Sequence, residues 1–211
     1  MLVTGIKSKP VYAPLQADIR GRYHLMLGMG VGAAPLLRVI AEMRAAAPQS
    51  LKDTRILFVP GGGEGQTGET SAAPQVEQFK LTAVGDVQSF RGTPELLGRF
   101  RVILGDSLMG TRLYVAGPES FIGLAMKIAL EFNLNKDEIR AEECGTLARR
   151  VYCIHCRATT ESVRTNVVSC VGCDRWLLVR DHYSRRLAAY MGVMVDAEAP
   201  GELPPLKEVF L

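Results

Sequence analysis

The chain has 211 residues, of which 47% are hydrophobic and 22% charged, and its formal net charge is +3. This composition is typical of a water-soluble globular protein, and the length suffices for one medium domain and one small one. No stretch reaches the roughly 18 apolar residues of a membrane span, and no secretory leader is recognisable. We therefore expect a protein of the reducing cytoplasm.

The first recognisable unit is a strand that runs through a glycine turn into a helix. Residues 1–20 predict an irregular arm, and the short apolar run at 23–27 predicts a buried strand. The glycines at 28–32 follow, and residues 33–47 predict a helix whose first turn accommodates Pro35. One apolar stripe supports this helix: Leu36, Val39, Ile40 and Met43.

A glycine turn before a helix has two readings. The glycines allow a ligand to approach the backbone, and amides at a helix N-terminus attract phosphate. Tight packing of a helix against a strand also requires glycine, so the turn by itself leaves both readings open.

The pattern continues as alternating strands and helices. It predicts strands at 55–59, 112–116 and 138–142, a third strand from 78–84 and 88–90 around a turn at 85–86, helices at 94–104 and 121–132, and a glycine-rich loop at 60–69. This alternation indicates an α/β domain over residues 21–145, with a parallel sheet and flanking helices.

The strongest chemical signal is a pair of Cys-x-x-Cys motifs. Cys153 and Cys156 are followed after thirteen residues by Cys170 and Cys173. Two such turns facing each other place four thiolates in a tetrahedron, which suits Zn²⁺ or a single iron. The intervening residues are rich in Thr, Val and Ser, which predicts a short β-hairpin. We assign residues 146–195 to a small Cys₄ ribbon and 196–211 to a C-terminal tail.

Reduced chance pairs and disulfides are alternatives to a metal site. Both are disfavoured, since two adjacent Cys-x-x-Cys loops make poor disulfide staples and no secretory signal accompanies them. Rubredoxin-type iron knuckles usually carry glycine after each pair, whereas Arg157 and Asp174 stand there. This favours zinc over iron and leaves iron open.

Three motifs in the α/β part resemble the pyridine-nucleotide half of ferredoxin reductase–like flavoenzymes. They are Gly-Met-Gly-Val-Gly-Ala-Ala-Pro at 28–35, Tyr-Val-Ala-Gly-Pro-Glu at 114–119 and Ile-Arg-Ala-Glu at 139–142. The resemblance implies a ferredoxin reductase NAD-domain-like fold, with the adenosine ribose near 61–65. It also implies nucleotide contacts at Gly28, Gly30, Gly32, Ala33, Pro35, Gly117 and Pro118.

Departures from that family weaken the case for a nucleotide. About twenty residues precede the first strand, so the flavin-binding barrel is missing, and Ala116 stands where many members have cysteine. We expect no flavin in this chain and leave NAD(P)H binding open.

The whole chain resembles the small subunits of heme-dependent dimethylamine monooxygenases. The segments at 142–153 and 178–193 and the two cysteine pairs carry this likeness. It implies an accessory subunit with no catalytic residue of its own, acting in docking or electron relay. The implied partners are a heme-containing oxygenase subunit and a flavin/iron–sulfur reductase subunit, which together demethylate dimethylamine to methylamine and formaldehyde.

Two rival functions come from the residues themselves. Residues 146–190 contain eight arginines and only three acidic residues. Such an excess of positive charge is typical of a nucleic-acid-binding zinc ribbon. Aromatic residues are not interleaved with these arginines as stacking platforms would be, which argues against nucleic acid. The other rival is a stand-alone NAD(P)H-binding redox protein, which the missing flavin barrel disfavours.

Overall fold

The computed structural model describes residues 8–61 and 74–211. Within them the chain forms two compact units, an α/β domain at residues 12–145 and a ribbon unit that joins residues 8–11 to 146–211. None of the helices in the described part is long and apolar enough to cross a bilayer.

The α/β domain contains one five-stranded sheet in which every neighbouring pair is parallel, in the order β3-β2-β1-β4-β5. The predicted fold class is confirmed. The described elements are β1 (Tyr23–Met29), α1 (Ala33–Ala46), β2 (Thr54–Val59), α2 (Pro74–Lys80), β3 (Asp86–Ser89), α3 (Thr93–Gly105), β4 (Thr111–Gly117), α4 (Glu119–Glu131) and β5 (Ile139–Glu143).

Both faces of this sheet are buried, as the almost continuous apolar runs of β1, β2 and β4 require. Alternate strand residues pack on one face against α3 and α4, where Phe100 and Phe121 are fully buried. The other residues face α1 and α2, with Leu36 and Phe79 in the core. Two apolar layers therefore fix the strands whose carboxyl ends carry the glycine turns.

The arm at residues 12–20 belongs to the core. Leu15 is only 1% exposed and packs into the α1 face. The Leu15 amide donates to Glu142 Oε2 at 2.6 Å, and the Ala17 amide donates to Glu42 Oε2 at 2.8 Å. The arm is thus tied both to α1 and to the edge strand β5.

A buried carboxylate anchors the end of the arm. The Asp18 side chain is 2% exposed and accepts hydrogen bonds from Arg20 at 2.8 Å, Arg140 at 3.0 Å and Arg112 at 3.1 Å. Its hydrogen bonds, that of Arg20 foremost, hold the pKa of Asp18 well below its usual range. The Asp18 amide donates to the Tyr114 hydroxyl at 2.9 Å, which fixes the backbone as well.

One predicted element in this domain is wrong. Residues 78–84 are not part of the third strand, because α2 occupies Pro74–Lys80 and a turn follows. Val76 and Phe79, three residues apart, both face the core from this helix. The third strand is β3 alone, and most of the predicted ribose region at 61–65 lies outside the described residues.

The ribbon unit contains a second five-stranded sheet, ordered β7-β6-β10-β9-β8, in which β6 and β10 are parallel and the other pairs antiparallel. The predicted hairpin is wrong, because β7 and β8 lie at opposite edges of this sheet. The strands are β6 (Arg149–Cys153), β7 (Thr159–Val163), β8 (Val167–Ser169), β9 (Trp176–Ser184) and β10 (Ala189–Met194).

The segments before and after the ribbon strands, residues 8–11 and the C-terminal tail, are hydrogen-bonded to the ribbon. The Ser8 amide donates to the Asp181 carbonyl at 3.0 Å, and the Ser8 hydroxyl accepts from the Tyr183 amide at 2.9 Å. The C-terminal tail bonds to the loop at 164–166, for example from the Val209 amide to the Arg164 carbonyl at 2.9 Å. The last residues of the tail therefore pack on the ribbon.

Candidate functional site

The four cysteines of the two motifs converge at one end of the ribbon sheet. Their sulfur atoms all lie within 4.8 Å of one another, although the two pairs are far apart in sequence. Cys153 ends β6, and the pair Cys170 and Cys173 precedes β9. The Sγ–Sγ distances are 3.9 Å for Cys153–Cys173 and 3.5 Å for Cys156–Cys170. A disulfide requires about 2.05 Å, and all five cysteines are free.

Each cysteine pair forms a tight turn, or knuckle, closed in the same way. The Arg157 amide donates to the Cys153 carbonyl at 2.9 Å, and the Asp174 amide donates to the Cys170 carbonyl at 3.0 Å. Arg157 and Asp174 both have positive φ angles, 69° and 56°. The sequence departure noted above thus places ordinary side chains where the backbone favours glycine.

Gly172, inside the second knuckle, has a steric role. A Cβ atom there would lie 2.6 Å from Ala158 Cβ and 3.2 Å from Cys156 Sγ. Any larger residue would push the two knuckles apart. Glycine at this position therefore keeps the four sulfurs at a distance suited to one ion.

The local hydrogen bonds already favour negative charge on one sulfur. The pKa of the Cys173 thiol falls to about 6, mainly because the Arg175 amide donates a hydrogen bond to its sulfur. The Ala158 amide acts in the same sense on Cys156, but burial and hydrogen bonds with the neighbouring thiols raise the pKa of Cys156 to about 12. Four convergent thiols, two of them fully buried, can hold a soft divalent metal ion.

The glycine turns of the α/β domain meet at the carboxyl edge of its sheet, since Gly28 in β1 is the register partner of Ala116 in β4. Protein atoms fill the space beside these glycines. A Cβ at Gly28 would lie 2.7 Å from Leu36 Cδ1, and a Cβ at Gly32 would lie 2.2 Å from the Ala116 carbonyl oxygen. Packing of α1 onto the sheet is therefore sufficient reason for both glycines.

The start of α1 offers few donors to a phosphate. The Ala33 amide bonds to the Gly30 and Val31 carbonyls, and Pro35 has no amide hydrogen. Gly30, with a φ of 54°, is the residue of this turn that needs glycine for its backbone angle. The residues present therefore fit a packing turn better than a pyrophosphate cradle.

The second turn is also engaged by protein. The Gly117 carbonyl accepts the Cys144 amide at 2.9 Å, and the Pro118 carbonyl accepts the Phe121 and Ile122 amides at 3.0 Å. A Cβ at Gly117 would lie 3.0 Å from the Phe121 ring. Gly117 and Pro118 therefore serve to begin α4 and to hold the segment after β5.

Two of the eight ribbon arginines are not part of a free basic surface. Arg149 is buried, donates to Asp181 at 2.7 Å, and lies between the rings of Tyr190 and Phe210, 3.9 and 3.8 Å from their centroids. Arg150 pairs with Glu161 at 2.8 Å. Sequence reasoning missed the structural role of Arg149, because the tail residue that covers it is distant in sequence.

The molecule is thus a parallel α/β domain combined with a four-cysteine ribbon. Family models for the dimethylamine monooxygenase subunit DmmA-like N-terminal domain and C-terminal domain match residues 4–139 and 150–193. The chain belongs to this DmmA-like family. It is also 30% identical, over 138 residues, to the delta subunit of heme-dependent oxidative N-demethylase from Ectopseudomonas mendocina (strain ymp). That alignment covers 65% of this chain and 78% of the relative.

Two reductases are among the solved structures that match part of the chain. The ferredoxin reductase of carbazole 1,9a-dioxygenase, in its FAD apo form, is 16% identical with a TM-score of 0.42, over 61% of this chain and 34% of that one. A cytochrome P450 reductase from Amycolatopsis is 14% identical with a TM-score of 0.41, over 60% of this chain and 38% of that one. The chain spans little more than a third of either protein.

Proposed function

We propose that this chain is an accessory subunit of a cytoplasmic, multi-subunit, NAD(P)H-dependent heme oxygenase that N-demethylates dimethylamine. The supporting observation is the family match, which covers both the α/β domain and the ribbon. The reaction consumes dimethylamine, O₂ and two electrons with two protons, and it yields methylamine, formaldehyde and water. In this proposal a heme-containing subunit carries out the oxidation and a flavin/iron–sulfur subunit supplies the electrons.

This chain's own contribution would be docking or electron relay. Cys153, Cys156, Cys170 and Cys173 would hold the metal, with zinc favoured over iron. A bound zinc ion fixes the fold, whereas iron in the same site can also pass one electron. Cys153 and Cys170 are fully buried in the ribbon. Cys156 and Cys173 are half-buried, so the site is partly accessible to solvent.

The α/β domain would act as a scaffold. Leu36 occupies the space beside Gly28, and the Ala116 carbonyl occupies the space beside Gly32. The Ala33 amide already donates to backbone carbonyls of the turn. Hydride transfer from a nicotinamide requires an acceptor in contact with it, and four thiolates with one metal accept no hydride. These points support weak nucleotide binding, with turnover dependent on partner subunits.

The proposal is tested by omission. The complex is purified with and without this chain, and formaldehyde release from dimethylamine is measured with NADH and with NADPH. We expect demethylation to need this chain and to be restored when it is added back. Full activity of the complex that lacks it would show that it is no subunit of the enzyme.

A second experiment addresses the isolated chain. Calorimetry with NADH and NADPH should show binding weaker than micromolar, and an artificial electron acceptor should support no turnover. Micromolar affinity would overturn the scaffold role of the α/β domain. Sustained oxidation of NAD(P)H by the chain alone would show that its redox chemistry does not depend on partners.

A further inference from the structure

The four cysteines of the ribbon differ in exposure in a regular way. Cys153 and Cys170, the first cysteine of each knuckle, are fully buried and belong to the apolar core of the ribbon. Cys156 and Cys173, the second cysteine of each knuckle, are half-buried. The second cysteine of each knuckle is therefore the one that a small solute reaches more easily.

Two short sulfur contacts join one knuckle to the other. Cys156 Sγ lies 3.5 Å from Cys170 Sγ, and Cys173 Sγ lies 3.9 Å from Cys153 Sγ. Each contact thus pairs a half-buried cysteine with a fully buried one. Gly172 permits the shorter contact, because a Cβ atom there would lie only 3.2 Å from Cys156 Sγ. A disulfide between Cys156 and Cys170 requires these two sulfurs to approach by about 1.5 Å.

The fifth cysteine has a different environment. Cys144 belongs to the α/β domain, where its thiol contacts the Glu142 carbonyl at 3.9 Å. Burial, together with the nearby charges of Glu142 and Glu143, raises the pKa of the Cys144 thiol. A thiol that stays protonated reacts slowly with oxidants, so Cys144 provides an internal control for the four cysteines of the ribbon.

We propose that the ribbon is a site of reversible oxidation, at which a peroxide converts Cys156 and Cys170 to a disulfide that joins the two knuckles and releases the metal. This inference rests on the metal site of the proposed function. It also gives the oxidation a source, because an oxygenase that passes two electrons and two protons to O₂ without oxidising its substrate produces H₂O₂. The subunit would then lose its ribbon fold when turnover is uncoupled, and thiol reduction would restore it.

The oxidation takes place in two steps. The Cys156 thiolate attacks one peroxide oxygen, so that an S–O bond forms, the O–O bond breaks, and the hydroxide that leaves takes up a proton. The Cys170 thiolate then attacks the Cys156 sulfur, the S–S bond forms, and the S–O bond breaks with loss of a second hydroxide, which is also protonated to water. The two sulfurs give two electrons to the peroxide. A zinc ion keeps its charge and loses two of its four ligands.

Peptide mapping of the wild-type chain identifies the pairing. The zinc-loaded chain is treated with hydrogen peroxide while a chromogenic chelator follows free zinc, and it is then alkylated and digested with trypsin. Cleavage after arginine leaves the first knuckle in the peptide 151–157 and the second in the peptide 165–175. We expect a disulfide between these two peptides, with fragmentation placing it at Cys156 and Cys170. One zinc ion should be released per disulfide, and dithiothreitol with added zinc should restore the metal content.

Exchange of single ligands for histidine tests which sulfurs react. Cys156→His and Cys173→His each replace a half-buried cysteine and each keep four ligands of a kind that zinc accepts. Zinc release should be about tenfold slower from Cys156→His, which lacks the reactive sulfur. Cys173→His keeps the Cys156–Cys170 contact and should release zinc at about the wild-type rate, as should Cys144→Ser. If either histidine variant fails to bind zinc, the wild-type peptide map decides alone.

Each contrary outcome has a distinct meaning. Zinc that stays bound to the wild type in excess peroxide would overturn the inference and leave the proposed function standing. Disulfides within each knuckle, which leave the two peptides separate, or between two chains, seen as a dimer on a non-reducing gel, would refute the pairing. Zinc release with sulfinic acids and no disulfide would refute reversibility. A chain that contains no metal and takes up no zinc would remove the metal site of the proposed function as well.

Discussion

Replacing Gly32 by alanine should destabilise the α/β domain in the absence of any ligand. Gly32 has φ −60° and ψ −9°, angles that alanine adopts without strain. The cost is therefore a pure clash, since the new Cβ would lie 2.2 Å from the Ala116 carbonyl oxygen and 2.6 Å from its carbonyl carbon. Both are backbone atoms of the interior strand β4, so relief requires α1 to shift by about an ångström.

Overpacking of this kind costs about 1–3 kcal/mol, and contact with backbone places Gly32→Ala at the upper end. At about 2–4 °C per kcal/mol, a cost of about 3 kcal/mol should lower the melting temperature by about 6–12 °C. Gly98→Ala is the control, because a Cβ at Gly98 on the exposed side of α3 meets nothing within 4 Å. That change should stabilise the domain by about 0.5–1 kcal/mol.

Two spectroscopic probes can separate the units. The α-helices of the described residues all lie in the α/β domain, so circular dichroism at the helix band reports on it, and Trp176, the single tryptophan, reports on the ribbon. Gly32→Ala should lower the midpoint seen by circular dichroism. An unchanged midpoint, with loss of measurable NAD(P)H binding, would refute the packing argument and restore the glycine turn as a nucleotide cradle.

Other changes test the rest of the structure. Purified chain should contain one metal ion, and a zinc-bound form should be colourless, whereas visible absorption from iron–thiolate bonds together with iron in elemental analysis would reverse the preferred metal. Cys170→Ser should remove metal-binding free energy on the order of 10 kcal/mol. Residues 151–180 should then become sensitive to proteases while the α/β domain stays compact. Native protection of a metal-free ribbon would contradict this. Asp18→Asn should cost about 3 kcal/mol at pH 7 by leaving three arginines around a neutral group. Because the folded pKa of Asp18 lies below its unfolded value of about 3.9, its contribution is present above that pH and is lost as the solution becomes more acidic. Urea unfolding followed between pH 3 and 7 should therefore show a weaker acid dependence for Asp18→Asn, and equal slopes for both proteins would disprove the role of this carboxylate.

Much of the α/β domain could be predicted because its signals are local. The apolar runs of β1, β2 and β4 follow from burial on both faces, and Pro48 ends the first helical pattern close to the last residue of α1. The spacing of the four cysteines also anticipated their convergence, since two Cys-x-x-Cys turns have few other uses in a reduced chain.

The rest depends on contacts that sequence periodicity does not report. Residues 159–163 and 167–169 have strand-like composition, but nothing local determines that they pair with β6 and β9 and not with each other. Polar and apolar residues alternate at 78–80, which predicts a strand. The structure has a helix there, because helical spacing brings both Val76 and Phe79 into the core. Leu15 and Asp18 are single residues in an irregular arm, and their burial follows from partners about a hundred residues away.

The discontinuous ribbon unit has a consequence for the order of events during synthesis. Ser8 leaves the ribosome before the α/β domain, whereas its hydrogen-bond partners Asp181 and Tyr183 are made after it. The α/β domain can therefore fold while the N-terminal segment still has no site to occupy. Completion of the ribbon must then be a late step. If its four cysteines hold a metal, as proposed, the ion binds after the α/β domain has folded, and metal-starved cells would accumulate chains with a folded α/β domain and an incomplete ribbon.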